Sequence, residues 1–205
     1  MKRTLLFVCA GLVVSAGASP AQTVSRSYSY FTIGGVTLQE IDEELSRRGP
    51  KVSSTGKRHP GATQMQFSTR YTFASTTDWC RIQKAVVDVK ATMILPRWRA
   101  RGRSDPDTRL IWDTLSSDIR RHEESHVQIA KSHARKLEDA LEAIGRRGDC
   151  EAVKAAAGTV SARILAEHDA AQDRFDRIES INFESRITRL LTYRMQQIET
   201  GRIPN

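Results

Sequence analysis

The chain lacks an apolar run long enough to cross a membrane. The one candidate, Leu5 to Ala18, falls short of the roughly 20 residues a spanning helix needs. It follows Lys2 and Arg3 and leads into the small-residue stretches Ala16-Gly17-Ala18 and Ser19-Pro20-Ala21. That is the pattern of a secretory signal peptide, expected over residues 1–21 and removed on export. No stable membrane insertion is then expected of the mature chain, and a periplasmic or secreted location follows. Internal repeats and low-complexity segments are also missing. No basic motif is interleaved with aromatics, which argues against a nucleic-acid partner. The net charge of +8 falls to +6 without Lys2 and Arg3, and the excess is spread along the chain, as on a solvated surface.

Cysteine is scarce, at three residues, and Cys9 lies in the expected signal. Cys80 and Cys150 remain. An even count in an exported protein points to one disulfide, which by chain entropy would contribute on the order of 4 kcal/mol. The alternative is two separate buried thiols. The mature remainder, residues 22–205, is of single-domain size.

Glycine and proline are absent from Asp107 to Ile144, so this long segment is expected to be helical. It contains His122-Glu123-Glu124-Ser125-His126, an H-E-x-x-H pattern. One helical turn separates the two histidines, so both imidazoles can hold one metal ion. Glu123 sits beside them and could take a proton from water. The pattern fixes only three positions, and a pair of hydrogen-bonded core histidines satisfies it equally well. Leu110, Ile111, Leu115, Ile119, His122, His126, Ile129, His133, Leu137 and Leu141 recur at steps of three or four. This stripe places both histidines on the core-facing side. A kink is possible at Ser116-Ser117.

A catalytic zinc site needs a third protein ligand and one open position. His133 lies about 10 Å further along the helix axis, too far to share the ion. Ile129 and Ser132 stand where the metzincin pattern needs Gly and His, which excludes that class. The remaining candidates lie on a later helix, expected to return antiparallel past the motif. Asp169, Asp173 and Asp176 share one broad face of it. One carboxylate from that face could be the third ligand, and each is equally readable as an exposed acid paired with a neighbouring Arg.

Before this helix the pattern is mostly β. Ser27 to Ile33 reads as a strand ending at Gly34-Gly35. Thr37 with Glu40 forms a capping box for a helix from Leu38 to Arg48, stopped by Gly49-Pro50. Met65 to Phe73 and Cys80 to Leu95 alternate apolar and polar residues, as an antiparallel hairpin would, with Pro96 as its end. Arg97 to Arg103 reads as a solvated loop. The expected fold class is α+β: a small antiparallel sheet packed against a mainly helical half.

The Gly34/Gly35 turn, Gly49-Pro50, the Cys80 hairpin, Leu95-Pro96-x-Trp98, the H-E-x-x-H helix, Cys150 and Ala170-Ala171-Gln172 to Phe175-Asp176 together resemble a known group. It is a family of bacterial secreted proteins described only as predicted zinc-dependent proteases. The resemblance implies a Zn2+ cofactor on His122 and His126, Glu123 as catalytic base, a peptide or protein substrate, and a Cys80–Cys150 bridge. Members follow the aromatic-Asp pair with Thr and then His-Gly. This chain keeps Phe175-Asp176, so the resemblance makes Asp176 the first choice for third ligand, with Glu179 and His168 behind it. Ile181-Asn182 stands where His-Gly would fall. A second reading is therefore a catalytically inactive envelope protein that keeps the fold as a binding module.

Overall fold

The structure is a computed structural model that describes residues 24–52 and 56–203. The expected signal peptide lies outside the described residues. The elements are β1 (Val24–Ile33), α1 (Leu38–Arg48), β2 (Ala62–Ser75), β3 (Cys80–Trp98), a 3-10 turn (Arg101–Arg103), α2 (Pro106–Glu142), α3 (Cys150–Ile181) and α4 (Phe183–Glu199). The fold is α+β, as expected. α1 has the predicted bounds and capping box: Thr37 accepts from Glu40 N while the Glu40 carboxylate accepts from Val36 N and Thr37 N.

The sheet is mixed rather than purely antiparallel, in the order β1-β3-β2. β2 and β3 form the expected hairpin, and β1 pairs with β3 in parallel. α1 carries the chain from β1 across to β2 and leaves a strand's width between them, which β3 fills. β3 also runs through Pro96 to Trp98. Pairing with β2 ends at Ile94, and Arg99 N donates to Ile33 O, so alternate residues such as Pro96 face away from β1. Its missing N–H therefore deprives no partner strand.

Alternate residues of β3 line the core under α2. Val87, Val89, Ala91 and Met93 are at most 1% exposed. Each large apolar side chain fully buried there is worth about 1.5–3 kcal/mol. Ala130 and Ala134 of α2 are fully buried in the same core, and their small side chains let helix and sheet approach closely. At the other end of β3, β1 has not yet begun. Glu142 and Glu138 accept from Ala85 N at 2.9 Å and Val87 N at 2.8 Å, replacing the absent strand.

α2 is continuous for 37 residues, without a break at Ser116-Ser117. Asp105 caps its start, accepting from Thr108 N at 2.8 Å. The Cys80–Cys150 disulfide is formed, with Cα atoms 5.1 Å apart. It fixes the start of α3 to the start of β3, next to the backbone bonds between Cys80 and Arg147. α3 then returns antiparallel along α2. No helix among the described residues is long and apolar enough to cross a membrane.

Candidate metal centre

The core-facing line of α2 differs from the predicted stripe. It runs Ile119, Glu123, Val127, Ala130, Ala134, Leu137 and Leu141, all buried. Glu123 thus faces the sheet, and His122 and His126 flank it toward α3. Between Ile119 and Leu137 the predicted stripe is one position off: it follows His122, His126, Ile129 and His133, whereas the buried line follows Glu123, Val127, Ala130 and Ala134, where a carboxylate and two alanines carry little hydropathy signal.

Three atoms converge between α2 and α3. His126 Nε2 lies 3.0 Å from His122 Nε2 and 3.0 Å from Asp176 Oδ1, and His122 Nε2 lies 3.2 Å from the same oxygen. Ligands on a tetrahedral ion with bonds of about 2.0–2.1 Å stand about 3.3 Å apart, so the triangle is close to one face of such a shell. Among the described residues this is the group of His, Cys, Asp and Glu side chains able to hold a metal ion. Asp176 was the first choice for third ligand, and the structure brings it there. Its side chain is 51% exposed, against 11% for His126, so the group opens to solvent on the Asp176 side. Phe175 covers part of the rest, stacked on His122 at 5.0 Å and edge-on to His126 at 5.1 Å.

Both histidines hold their other ring nitrogen toward an acceptor, as metal-binding imidazoles do. His126 Nδ1 lies 2.6 Å from Gln172 Oε1, and His122 Nδ1 faces Glu179 Oε2 at 3.6 Å. Glu179 is therefore placed behind His122 rather than in the triangle. It is gripped by Arg121 and by Arg186, and both arginines also hold Asp118, whose side chain is 4% exposed. His168 is also outside the triangle, donating from Nδ1 to Asp169 at 3.0 Å. Asp169 and Asp173 share a stripe with Asp176 but lie outside the group, exposed to solvent. His133 donates to its own helix, to Ile129 O at 2.9 Å.

Glu123 is 4% exposed. Burial raises its pKa, opposed by a hydrogen bond from Thr63 Oγ1 to Oε2 at 2.8 Å and by attraction to His126 and His122. Gly61 leaves room for it: a Cβ there would stand 2.7 Å from Glu123 Oε1. Burial would also raise Asp176, but hydrogen bonds from His122 and His126 hold it well below the usual carboxylate range. His126 moves the other way; burial lowers it, and Asp176 and Gln172 more than reverse that. Thr63 and Gly61 went unnoticed in the sequence because β2 is distant from the motif along the chain. Gln172 carried a detectable signal, its spacing of four from both His168 and Asp176.

Fold and site define an α+β protein whose longest helix supplies two members of a His-His-Asp group able to hold a metal ion. The chain belongs to a bacterial protein family of unknown function, DUF922, whose model matches residues 28–183. That description fits the resemblance to an uncharacterised family but assigns it no zinc or protease activity. No curated protein and no solved structure matches the chain.

Proposed function

We propose that the protein is an exported zinc-dependent peptidase, acting on peptide or protein substrates from the periplasm or outside the cell. The observation that carries this reading is the triangle of His122 Nε2, His126 Nε2 and Asp176 Oδ1, with Glu123 adjoining in sequence and charge. Two neutral imidazoles and one carboxylate suit zinc, and three protein ligands leave it a position for water or substrate. A bound zinc ion supplies Lewis acidity toward a carbonyl and toward water.

The chain's own groups do the rest. Glu123 accepts a proton from the attacking water and passes it to the departing amine. Its raised pKa brings it nearer to neutrality, where a base that must also act as an acid works best. Thr63 and the space at Gly61 fix that carboxylate. Asp176 stays anionic across the physiological range and would supply the negative charge of the three-member group. The disulfide supports the extracytoplasmic assignment, because such bonds persist in oxidising compartments.

Zinc content and cleavage of a peptide library, followed by mass spectrometry, test the reading together. Glu123→Gln should retain zinc and lose about 10²–10⁴-fold in hydrolysis, the range for a general base. His126→Ala should lose the metal. Retained hydrolysis in Glu123→Gln would remove the base assignment, and unchanged zinc in His126→Ala the ligand assignment. The second reading, a binding module that keeps the fold, is favoured by Ile181-Asn182 in place of His-Gly. Stoichiometric zinc without any cleavage would select it.

A further inference from the structure

Resting on the metal-site reading, we infer that Gln172 is a positioning residue that locks His126 in the Nδ1–H form, and that His168 and Asp169 lock Gln172 in turn. The chain of hydrogen bonds assigns each proton. The Asp169 carboxylate only accepts, so His168 Nδ1, 3.0 Å from Oδ1, carries a hydrogen. In a neutral ring His168 Nε2 is then an acceptor, and it meets Gln172 Nε2 at 2.8 Å. The second amide hydrogen goes to His126 O at 3.2 Å. The Met65 sulfur, 3.8 Å from the same nitrogen, is a third and weaker neighbour. Both acceptors thus require the amide nitrogen where it stands. The reversed amide would set oxygen against the His126 carbonyl, acceptor against acceptor.

Gln172 Oε1 is left pointing at His126 Nδ1, at 2.6 Å. That oxygen can only accept, so His126 Nδ1 keeps its hydrogen. Nε2 faces Asp176 Oδ1, another acceptor, at 3.0 Å, so a proton bridges those two atoms while no ion is bound. With Nδ1–H held by Gln172, that bridging proton is the one an arriving ion displaces, and Nε2 then presents its lone pair. A ring without the Nδ1 hydrogen would keep its one remaining hydrogen on Nε2, with no lone pair there for an ion. Packing holds the relay rigid. His168 is 5% exposed and lies edge-on to Phe67 of β2 at 5.0 Å and to His133 at 5.5 Å. One helical face supplies it: His168, Gln172 and Asp176 recur every four residues on α3. The lock on His126 is thus written on the same stripe as the third ligand.

The test compares the full mature chain with Gln172→Met and Gln172→Glu. Met keeps the length and removes the acceptor, whereas Glu restores an acceptor for Nδ1–H. Zinc dissociation constants are measured by competition with a chelator dye. The hydrogen on His126 Nδ1 is read on metal-free protein by long-range 15N–1H NMR of the imidazoles. The expected results are a hydrogen on Nδ1 in the wild type and partial Nδ1 occupancy in Gln172→Met. Zinc affinity should fall about 10–100-fold in Gln172→Met, the usual effect of losing such a partner, and recover in part in Gln172→Glu, which restores the acceptor for Nδ1–H but sets its second oxygen against the His126 carbonyl. Unfolding temperatures identify a variant that has merely lost its fold. Wild-type His126 without a hydrogen on Nδ1, or a folded Gln172→Met with unchanged Nδ1 occupancy and affinity, would overturn the lock. Failure of the wild type to bind zinc would instead overturn the metal-site reading, and the NMR result would still judge the lock by itself.

Discussion

Replacing Asp118 by Asn should cost about 3 kcal/mol, and the cost should shrink in acid. Asp118 is the hub joining α2 to α4. Its Oδ1 accepts from Arg121 Nε at 2.8 Å and from Arg186 Nε at 3.1 Å, and its Oδ2 accepts from Arg186 Nη2 at 3.2 Å. Arg186 is 13% exposed, so it is left nearly dry beside a neutral amide once the carboxylate is gone. Breaking a buried ion pair from one side costs roughly 3–5 kcal/mol, and Asn keeps one acceptor oxygen, which places the loss at the lower end. At about 2–4 °C per kcal/mol for a chain of this size, the unfolding midpoint should fall by about 6–12 °C. The pH dependence follows from the direction of the shift. Burial alone would raise the Asp118 pKa, but hydrogen bonds from Arg186 and Arg121 outweigh it and leave it lowered. A depressed carboxylate contributes stability that is present above its unfolded value of about 3.9 and is lost as pH falls through the folded value. Denaturant titration of wild type and variant at pH 7 and pH 3 therefore gives a gap at the first and a smaller one at the second. Other acids lose stability in both proteins, and the difference removes them. A gap under about 1 kcal/mol at pH 7, or one that is undiminished at pH 3, would refute the account of Asp118 as a buried, charged hub.

Asp176→Ala should weaken zinc binding by more than the roughly 100-fold upper range for outer partners, because a direct ligand is removed; a dissociation constant within about tenfold of wild type would show that Asp176 does not reach the ion. Gly61→Ala should destabilise by about 1–3 kcal/mol, as overpacking does, because the new Cβ stands 2.7 Å from Glu123 Oε1 and 2.9 Å from Ile119 Cγ2. Unchanged stability with full activity would mean that the backbone there yields freely. Cys80→Ser with Cys150→Ser should lower stability by about 4 kcal/mol in the chain-entropy account, read as a shift in denaturant midpoint. A loss below about 1 kcal/mol would show that other contacts already tie α3 to β3.

Residues carrying strong local signals were legible from the chain alone. Thr37 and Glu40 marked the start of α1, Gly49-Pro50 its end, and the alternation around Val87 and Val89 the central strand. The unbroken stretch after Pro106 gave α2, and H-E-x-x-H on it gave two histidines at the spacing of one turn. Each depends on neighbours within a few residues, where dihedral preferences and helical period operate without help from the rest of the chain.

Tertiary structure decided what those elements face. The parallel pairing of β1 with β3 depends on how α1 crosses the sheet, which no local pattern encodes. Glu123 turned out to be the buried member of the motif because α2 rolls to lay Val127, Ala130 and Ala134 on β3. Asp176 was separable from Asp169 and Asp173 only once the Cys80–Cys150 bridge and the antiparallel return set the rotation of α3. Thr63, Gly61 and Gln172 act on the site from positions 46 to 62 residues away. Side-chain periodicity in sequence assigns residues to a face, and the packing of helix against sheet decides which way that face points.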